Sequence, residues 1–172
     1  MNDRWSLVAT ERLRLRRVTR ADVAALVAIS TDPRTNEHRP QGAPSRAQSD
    51  EIITGFISDW EQHGIGYWVV EYRGEVVGVA GVRSSILHGR DCWNLYYRFS
   101  PHAWGKGLAA EAASAALTAA RECDPTRPIL ARTRPDNLAA ARLAQRIGMT
   151  RRAEWDGDGL VAFAAANPHC LT

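Results

Sequence analysis

The sequence has few of the residues that build metal sites, disulfide frameworks or membrane spans. Its three cysteines are odd in number and show no CxxC spacing, so they neither close a set of disulfides nor form a metal site. No apolar run approaches the ~18 residues of a membrane span, and the first residues contain no apolar signal-peptide core. We therefore expect a cytoplasmic protein that binds no metal and no membrane.

The sequence also has little excess of positive over negative charge. The chain has 22 basic and 19 acidic residues, a net charge of +3, and its basic residues are spread along the sequence. This balance gives no reason to expect nucleic acid as a partner. Lys106 is the only lysine, and this arginine bias, like the many alanines, fits a GC-rich genome. With 172 residues, 45% of them hydrophobic, the sequence predicts a single domain over residues 1–172.

The spacing of apolar residues predicts a mixed α/β fold. Apolar/polar alternation and β-branched or aromatic runs predict strands at 13–16, 67–72, 75–82, 93–99 and 129–133. Helical spacing and cap residues predict helices at 20–30, 46–62, 108–122 and 137–147. The remaining expectations are irregular segments at 32–44 and 84–92 and an edge strand at 160–163.

Residues 104–109, named here the glycine loop, read Trp104-Gly105-Lys106-Gly107-Leu108-Ala109. Glycines let the main chain approach a ligand closely, and a helix start presents unpaired N–H groups and the positive end of its dipole. The pattern predicts a phosphate or pyrophosphate site, although a tight turn before an alanine-rich helix has the same spacing. A dinucleotide fingerprint is excluded by context, because residues 100–103 separate the loop from the strand and no acid ends the next strand.

The order of elements around the glycine loop identifies a family. The loop is followed by an alanine-rich helix, a short strand, and a last helix that begins at Asn137 and stops at Gly148. In this order, over residues 11 to about 155, the chain resembles the GCN5-related N-acetyltransferase (GNAT) family. Residues 101–111 and the opening residues 10–16 are most similar to its branch of ribosomal-protein N-terminal acetyltransferases. The resemblance implies a mixed central sheet with one splayed parallel strand pair, about four helices, and acetyl transfer from acetyl-coenzyme A to an amine.

The resemblance also implies which residues bind acetyl-coenzyme A. The main chain of the glycine loop, from Trp104 through Gly105, Lys106, Gly107 and Leu108 to Ala109, would bind the pyrophosphate. Trp104 stands where the family most often has Gln or Arg, so one phosphate contact is expected to be missing. Arg98 and Phe99 end the strand whose backbone would pair with the pantetheine arm. Asn137 would contact pantetheine, or it merely caps its helix. Arg142 would reach a phosphate.

The expected catalytic side chains depart from the family pattern. Asn94 stands where many relatives have Glu, Ala140 where they have Ser, and Ala144 where they have the Tyr that acts as general acid. Asparagine orders a water but takes no proton. Tyr96 and Tyr97 point to opposite faces of their strand, so one of them is expected to face the substrate. Asn94 and Tyr97 are our catalytic candidates.

The sequence identifies fewer residues for the site that would bind the acceptor amine, called here the acceptor side. Glu37 and His38 lie on a loop near it, and Trp60 either walls the acceptor pocket or belongs to the core. The irregular segments 32–46 and 84–92 are expected to decide the acceptor, a peptide or protein N-terminus first and a small amine second. Because three usual helpers are absent, a module that only senses acyl-coenzyme A is the alternative function. A homodimer stays open.

Overall fold

The computed structural model describes residues 3–166, and Cys170 lies outside them. These residues form eight strands and four α-helices, in addition to short 3₁₀ turns. The strands are β1 (Leu7–Ala9), β2 (Leu13–Arg17), β3 (Tyr67–Tyr72), β4 (Glu75–Leu87), β5 (Arg90–Phe99), β6 (Ile129–Thr133), β7 (Met149–Arg151) and β8 (Val161–Ala165). The helices are α1 (Val23–Thr31), α2 (Arg46–His63), α3 (Leu108–Cys123) and α4 (Leu138–Arg146).

The strands form one sheet in the order β1-β2-β3-β4-β5-β6-β8-β7. Among the described strands, β5 and β6 are the parallel pair, and all other neighbours are antiparallel. Their pairing runs from Trp93↔Ile129 to Leu95↔Ala131, whereas β5 continues to Phe99. The two strands therefore separate beyond Leu95, which confirms the predicted mixed sheet with a splayed parallel pair.

Alternating side chains give the sheet two apolar faces, each covered by helices. Val69 and Val79 pack beneath α1 and α2, and their neighbours Val70 and Ala80 belong to the larger core beneath α3. Helix α3 lies close to the sheet because the residues on its inner side are small. Its predicted packing residues are all buried: Leu108, Ala112, Ala116 and Ala119.

Local signals placed the helix ends correctly. Ser45 and Gln48 form the predicted capping box, in which each side chain bonds the other residue's main-chain N–H, at 3.2 and 2.9 Å. Gly148 follows α4 with φ +85°, the left-handed conformation that a helix terminator adopts. Within the described residues, no helix combines the length and apolar character that crossing a lipid bilayer requires.

Two sequence predictions are wrong. Residues 84–92 are not irregular: β4 runs to Leu87 and β5 starts at Arg90, joined by a tight turn at His88 and Gly89 with φ 51° and 72°. The polar residues of this hairpin obscured the alternation, because its outer half is not buried on either face. The predicted edge strand, observed as β8, lies inside the sheet between β6 and β7, and the three-residue β7 forms the edge.

Candidate active site

The glycine loop ends in a row of main-chain donors. Gly105 and Gly107 have φ +72° and +75°, which turn the chain into α3. The first bond into the helix runs from the Glu111 N–H to the Gly107 carbonyl at 3.1 Å, and the N–H groups of residues 105–110 have no partner within residues 3–166. Together with the positive end of the α3 dipole, these donors suit a phosphate group.

The space in front of the loop is open. A Cβ atom at Gly105 would meet nothing within 4 Å, and one at Gly107 would meet only Nη2 of Arg12, at 3.5 Å. The protein's own atoms therefore leave room for a diphosphate at these amides. The loop fits the ligand that the family resemblance implies.

A gap opens beside the loop where β5 and β6 separate. The Trp93 N–H donates to the Pro128 carbonyl at 2.8 Å, whereas the Ser100 N–H donates to Val77 on the opposite side. Main-chain groups alternate along a strand, so Tyr97 and Phe99 direct theirs toward β6, into the gap. The Phe99 carbonyl accepts a hydrogen bond from the Trp104 indole at 2.9 Å, which occupies the side chain of Trp104.

The two catalytic candidates lie on opposite faces of β5, so the structure does not bring them together. The Tyr97 hydroxyl points to α4 and donates to the Ala140 carbonyl at 3.4 Å, and burial raises its pKa to about 12. The Asn94 amide donates to the Tyr67 hydroxyl at 2.5 Å on the α1–α2 face. Burial raises the pKa of Tyr67 further, so this hydroxyl stays protonated at neutral pH.

A cavity of about 390 Å³ lies on the α1–α2 face and is named here the aromatic cavity. Phe56 and Tyr67 meet edge to face with centroids 4.9 Å apart, and Tyr96 lies 5.2 Å from Tyr67. Arg83 lies over the Tyr67 ring at 5.5 Å and bonds Asp59 at 3.5 Å. The remaining lining residues are Glu51, Ile52, Gly55 and Asn94. Sequence reasoning missed Tyr67, which reads as an ordinary strand residue.

The loop of residues 32–44, named here the acceptor-side loop because the sequence predicts that it faces the acceptor, is anchored to β5 through Arg98. Its guanidinium donates to the Tyr96 hydroxyl at 2.8 Å and to Oδ1 of Asn36 at 2.9 Å. The Arg98 side chain thus points away from the glycine loop, and its main-chain groups face Val79 of β4 rather than the gap. Nδ1 of His38 lies 3.6 Å from the Asp136 carboxylate, so this loop reaches the turn before α4.

Three other predicted residues have local partners. Trp60 is 2% exposed and its indole donates to the Tyr67 carbonyl at 2.8 Å, outside the lining of the aromatic cavity. This placement matches the core role that the sequence left open. The Asn137 side chain accepts the Ala140 N–H at 3.0 Å and caps α4. Arg142 is exposed, and its Nε donates to the Leu138 carbonyl at 3.4 Å.

Arg12 and Glu111 meet beside the glycine loop, and neither was among the predicted binding or catalytic residues. The Glu111 carboxylate accepts from the Thr10 hydroxyl at 2.5 Å, and from the main-chain N–H and Nε of Arg12 at 2.8 and 2.7 Å. Burial acts to raise the pKa of Glu111, but these bonds outweigh it and lower the pKa. The signal was present, since both residues belong to the segments most similar to the ribosomal-protein branch.

Residues 3–166 contain no group of three His, Cys, Asp or Glu side chains placed to hold a metal ion.

Comparison with known proteins agrees with this geometry. The sequence model described as "Acetyltransferase (GNAT) domain" matches residues 12–150. YkkB of Bacillus subtilis (strain 168) is 29% identical over 152 residues, which are 87% of each chain. The structure of an acetyltransferase from Agrobacterium tumefaciens str. C58 superposes with a TM-score of 0.82 at 24% identity, covering 93% of this chain and 94% of that one.

A ribosomal acetyltransferase is also structurally similar. RimL, the ribosomal L7/L12 alpha-N-protein acetyltransferase, in complex with coenzyme A, superposes with a TM-score of 0.73 at 18% identity, over 92% of this chain and 96% of its own. At this identity the likeness establishes the fold. The family match, which spans most of the sequence, agrees with that fold. The chain therefore belongs to the GNAT family of acetyltransferases and is an acetyl-coenzyme A-dependent enzyme of this type.

Proposed function

We propose that this enzyme acetylates a primary amine. The N-terminus of a peptide or protein is the acceptor that we favour, and a small amine is the alternative. The observation that carries the proposal is the row of free amides at residues 105–110 beside the gap between β5 and β6. This arrangement suits a long ligand that has a diphosphate at one end and a thioester at the other. The acceptor amine would then approach from the α1–α2 face.

The proposed binding residues follow the ligand along the gap. The amides of the glycine loop hold the pyrophosphate, and the main chain of Phe99 lies along the pantetheine arm. The peptide groups of Arg98, which the resemblance also implied for the arm, pair with β4 instead. Asn137, which caps α4, is the proposed contact to the arm, and Arg142, exposed on α4, is the proposed contact to a phosphate. Trp104 contributes its main chain only, because its indole is bonded to Phe99.

The proposed chemistry is direct transfer. The amine nitrogen forms a bond to the thioester carbonyl carbon while the carbon–sulfur bond breaks. Nitrogen releases one proton to solvent, sulfur gains one from an acid of the protein, and solvent returns a proton to that acid. The Tyr97 hydroxyl, whose pKa is about 12, holds a proton at neutral pH and is the proposed donor to sulfur. Main-chain N–H groups of Tyr97 and Phe99 face the gap and would stabilise the negative charge on the carbonyl oxygen.

Asn94 is the proposed positioning group for the amine. Its amide nitrogen is fixed on the Tyr67 hydroxyl, so its carbonyl oxygen is left to accept from the amine or from an ordered water. The aromatic cavity on the same face would take the rest of the acceptor. Trp60 supports this wall from behind rather than contacting the acceptor.

The similarity of the glycine-loop segment to the ribosomal-protein branch supports a peptide N-terminus as acceptor. RimL acts on the alpha-amino group of ribosomal L7/L12, and its fold extends over nearly all of this chain. The absence of the usual Glu, Ser and Tyr, replaced by Asn94, Ala140 and Ala144, favours the acyl-coenzyme A sensor as the second candidate function.

A panel of amines separates the two functions. The protein is incubated with acetyl-coenzyme A and peptides with free N-termini, matched peptides with acetylated N-termini, and small amines, and thiol release is followed. Release with free but not blocked peptides supports peptide N-terminal acetylation, and release with small amines alone supports the second acceptor class. Thermal stabilisation by acetyl-coenzyme A without release across the panel would contradict the proposed activity and support a sensor.

A further inference from the structure

The glycine loop supplies little side-chain charge to the diphosphate that we propose it binds. The ammonium of Lys106 lies over the ring of Tyr72 at 6.0 Å, and the Trp104 indole is bonded to Phe99. Two negative phosphates would therefore meet main-chain donors alone unless another element contributes a cation. That cation comes from the chain just before β2.

Arg12 lies against the loop with a fixed orientation. Its Nε donates to Glu111 at 2.7 Å and its Nη1 to the Lys106 carbonyl at 2.8 Å. Its Nη2 lies 3.5 Å from the position that a Cβ of Gly107 would take, and has no hydrogen-bond partner within residues 3–166. Because the guanidinium is planar, two bonded nitrogens determine where the third one points.

We propose that Arg12 is a diphosphate-binding residue of this enzyme and that Glu111 is the residue that positions it. The inference rests on the proposed binding of acetyl-coenzyme A at the glycine loop. Nη2 would donate a charge-assisted hydrogen bond to a phosphate oxygen, while Nη1 keeps the loop carbonyl in place. Arg12 would thus provide the side-chain contact that Trp104, standing in place of the usual Gln or Arg, does not make.

The charge of Glu111 makes this proposal specific. A carboxylate in the first turn of α3 stabilises the helix, but it also repels an anion bound at the same end. Arg12 neutralises it at 2.7 Å. Removing Arg12 alone would leave Glu111 charged beside the diphosphate, so the loss of binding should exceed that caused by Glu111→Gln. Removing both groups should restore part of the affinity.

Equilibrium binding tests the contact without depending on turnover. We expect Arg12→Met to weaken the binding of coenzyme A about tenfold. The same factor is expected with dephospho-coenzyme A, which keeps the diphosphate but lacks the 3′-phosphate. The double variant Arg12→Met/Glu111→Gln should bind more tightly than Arg12→Met. Arg4→Met is the matched control, because it removes the exposed ion pair with Glu122 on the same helix.

A truncated donor separates binding from structural support. S-acetylpantetheine carries the thioester but no diphosphate, so Arg12→Met should leave its kcat/KM unchanged while lowering that of acetyl-coenzyme A. An equal loss with both donors, or an unchanged Kd for coenzyme A, would overturn the inference. If Arg12→Met does not fold, Arg12→Lys keeps the charge but cannot make the three contacts, and it should show a smaller loss with the same donor dependence.

Different results would contradict the proposed function and the role of Arg12. A wild-type protein that does not bind coenzyme A would overturn the proposed function, and this inference with it. Wild-type binding that Arg12→Met leaves intact would overturn the role of Arg12 alone.

Discussion

The two sides of the sheet offer their ligands different kinds of groups. On the α3 side the candidate binding groups are main-chain amides, turned outward by two glycines that are two residues apart. On the α1–α2 side they are side chains from α2, β3, β4 and β5 that surround the aromatic cavity. A main-chain site needs only the right local conformation, whereas a side-chain site needs distant residues to meet. Variants on the two sides should therefore fail in different ways.

The largest effect is expected from Gly107→Val. Gly107 has φ +75°, which a β-branched residue scarcely adopts, and its side chain would enter the space in front of the amides. Binding of coenzyme A, measured by calorimetry, should fall by about two orders of magnitude or more, since the site would lose several donors at once.

Gly74 offers the matched control for that strain. It has φ +82° in the β3–β4 turn, and a Cβ there would also meet nothing within 4 Å. Gly74→Val should cost comparable stability and leave coenzyme A binding unchanged. If Gly107→Val bound coenzyme A as tightly as the wild type does, the amides of the glycine loop would not be the groups that bind it.

Tyr97→Phe should produce the next largest effect, on turnover rather than on binding. Loss of a general acid typically lowers the rate by about 10²–10⁴-fold, and Kd for coenzyme A should stay constant. The sign of the pH effect follows from the raised pKa of about 12. Tyr97 keeps its proton below that pH. The contribution of the general acid to kcat should therefore be lost as pH rises toward 12, rather than near 10, the ordinary pKa of tyrosine. A variant with unchanged kcat would assign the proton to another donor.

Arg98→Met should act on the other side of the sheet. The guanidinium of Arg98 holds the acceptor-side loop through Tyr96 and Asn36, and the substitution leaves its main chain in place. We expect KM for the acceptor amine to rise about tenfold, the effect of losing charge-assisted bonds, with KM for acetyl-coenzyme A unchanged. A rise in the KM for acetyl-coenzyme A instead would mean that the two sides are coupled through β5.

His38→Ala should have the smallest effect. Its pair with Asp136 is solvated and spans 3.6 Å, and exposed pairs contribute about 0–1 kcal/mol. KM for the acceptor should change by less than about fivefold, with kcat retained. A large fall in kcat would instead make His38 the catalytic base.

Sequence reasoning was most successful where the deciding interactions are local. The glycine loop, the Ser45 capping box and the alanine face of α3 were all predicted, because each depends on residues within a few positions of one another. The outer half of the β4–β5 hairpin, residues 84–92, was missed because its residues are polar and its order comes from cross-strand pairing. Trp60 was assigned two roles by its type alone, and only its burial shows that it belongs to the core.

By itself, the sequence determined the strand–loop–helix unit, since the two glycines and the alanine-rich helix start are local signals. It also determined that Tyr96 and Tyr97 lie on opposite faces, because side chains alternate along a strand. Only the tertiary structure decided that Arg12 meets Glu111, 99 residues away, and that Asn94 is held by Tyr67. Contacts between distant segments depend on how helices and strands pack, and no local pattern encodes the distance at which they meet.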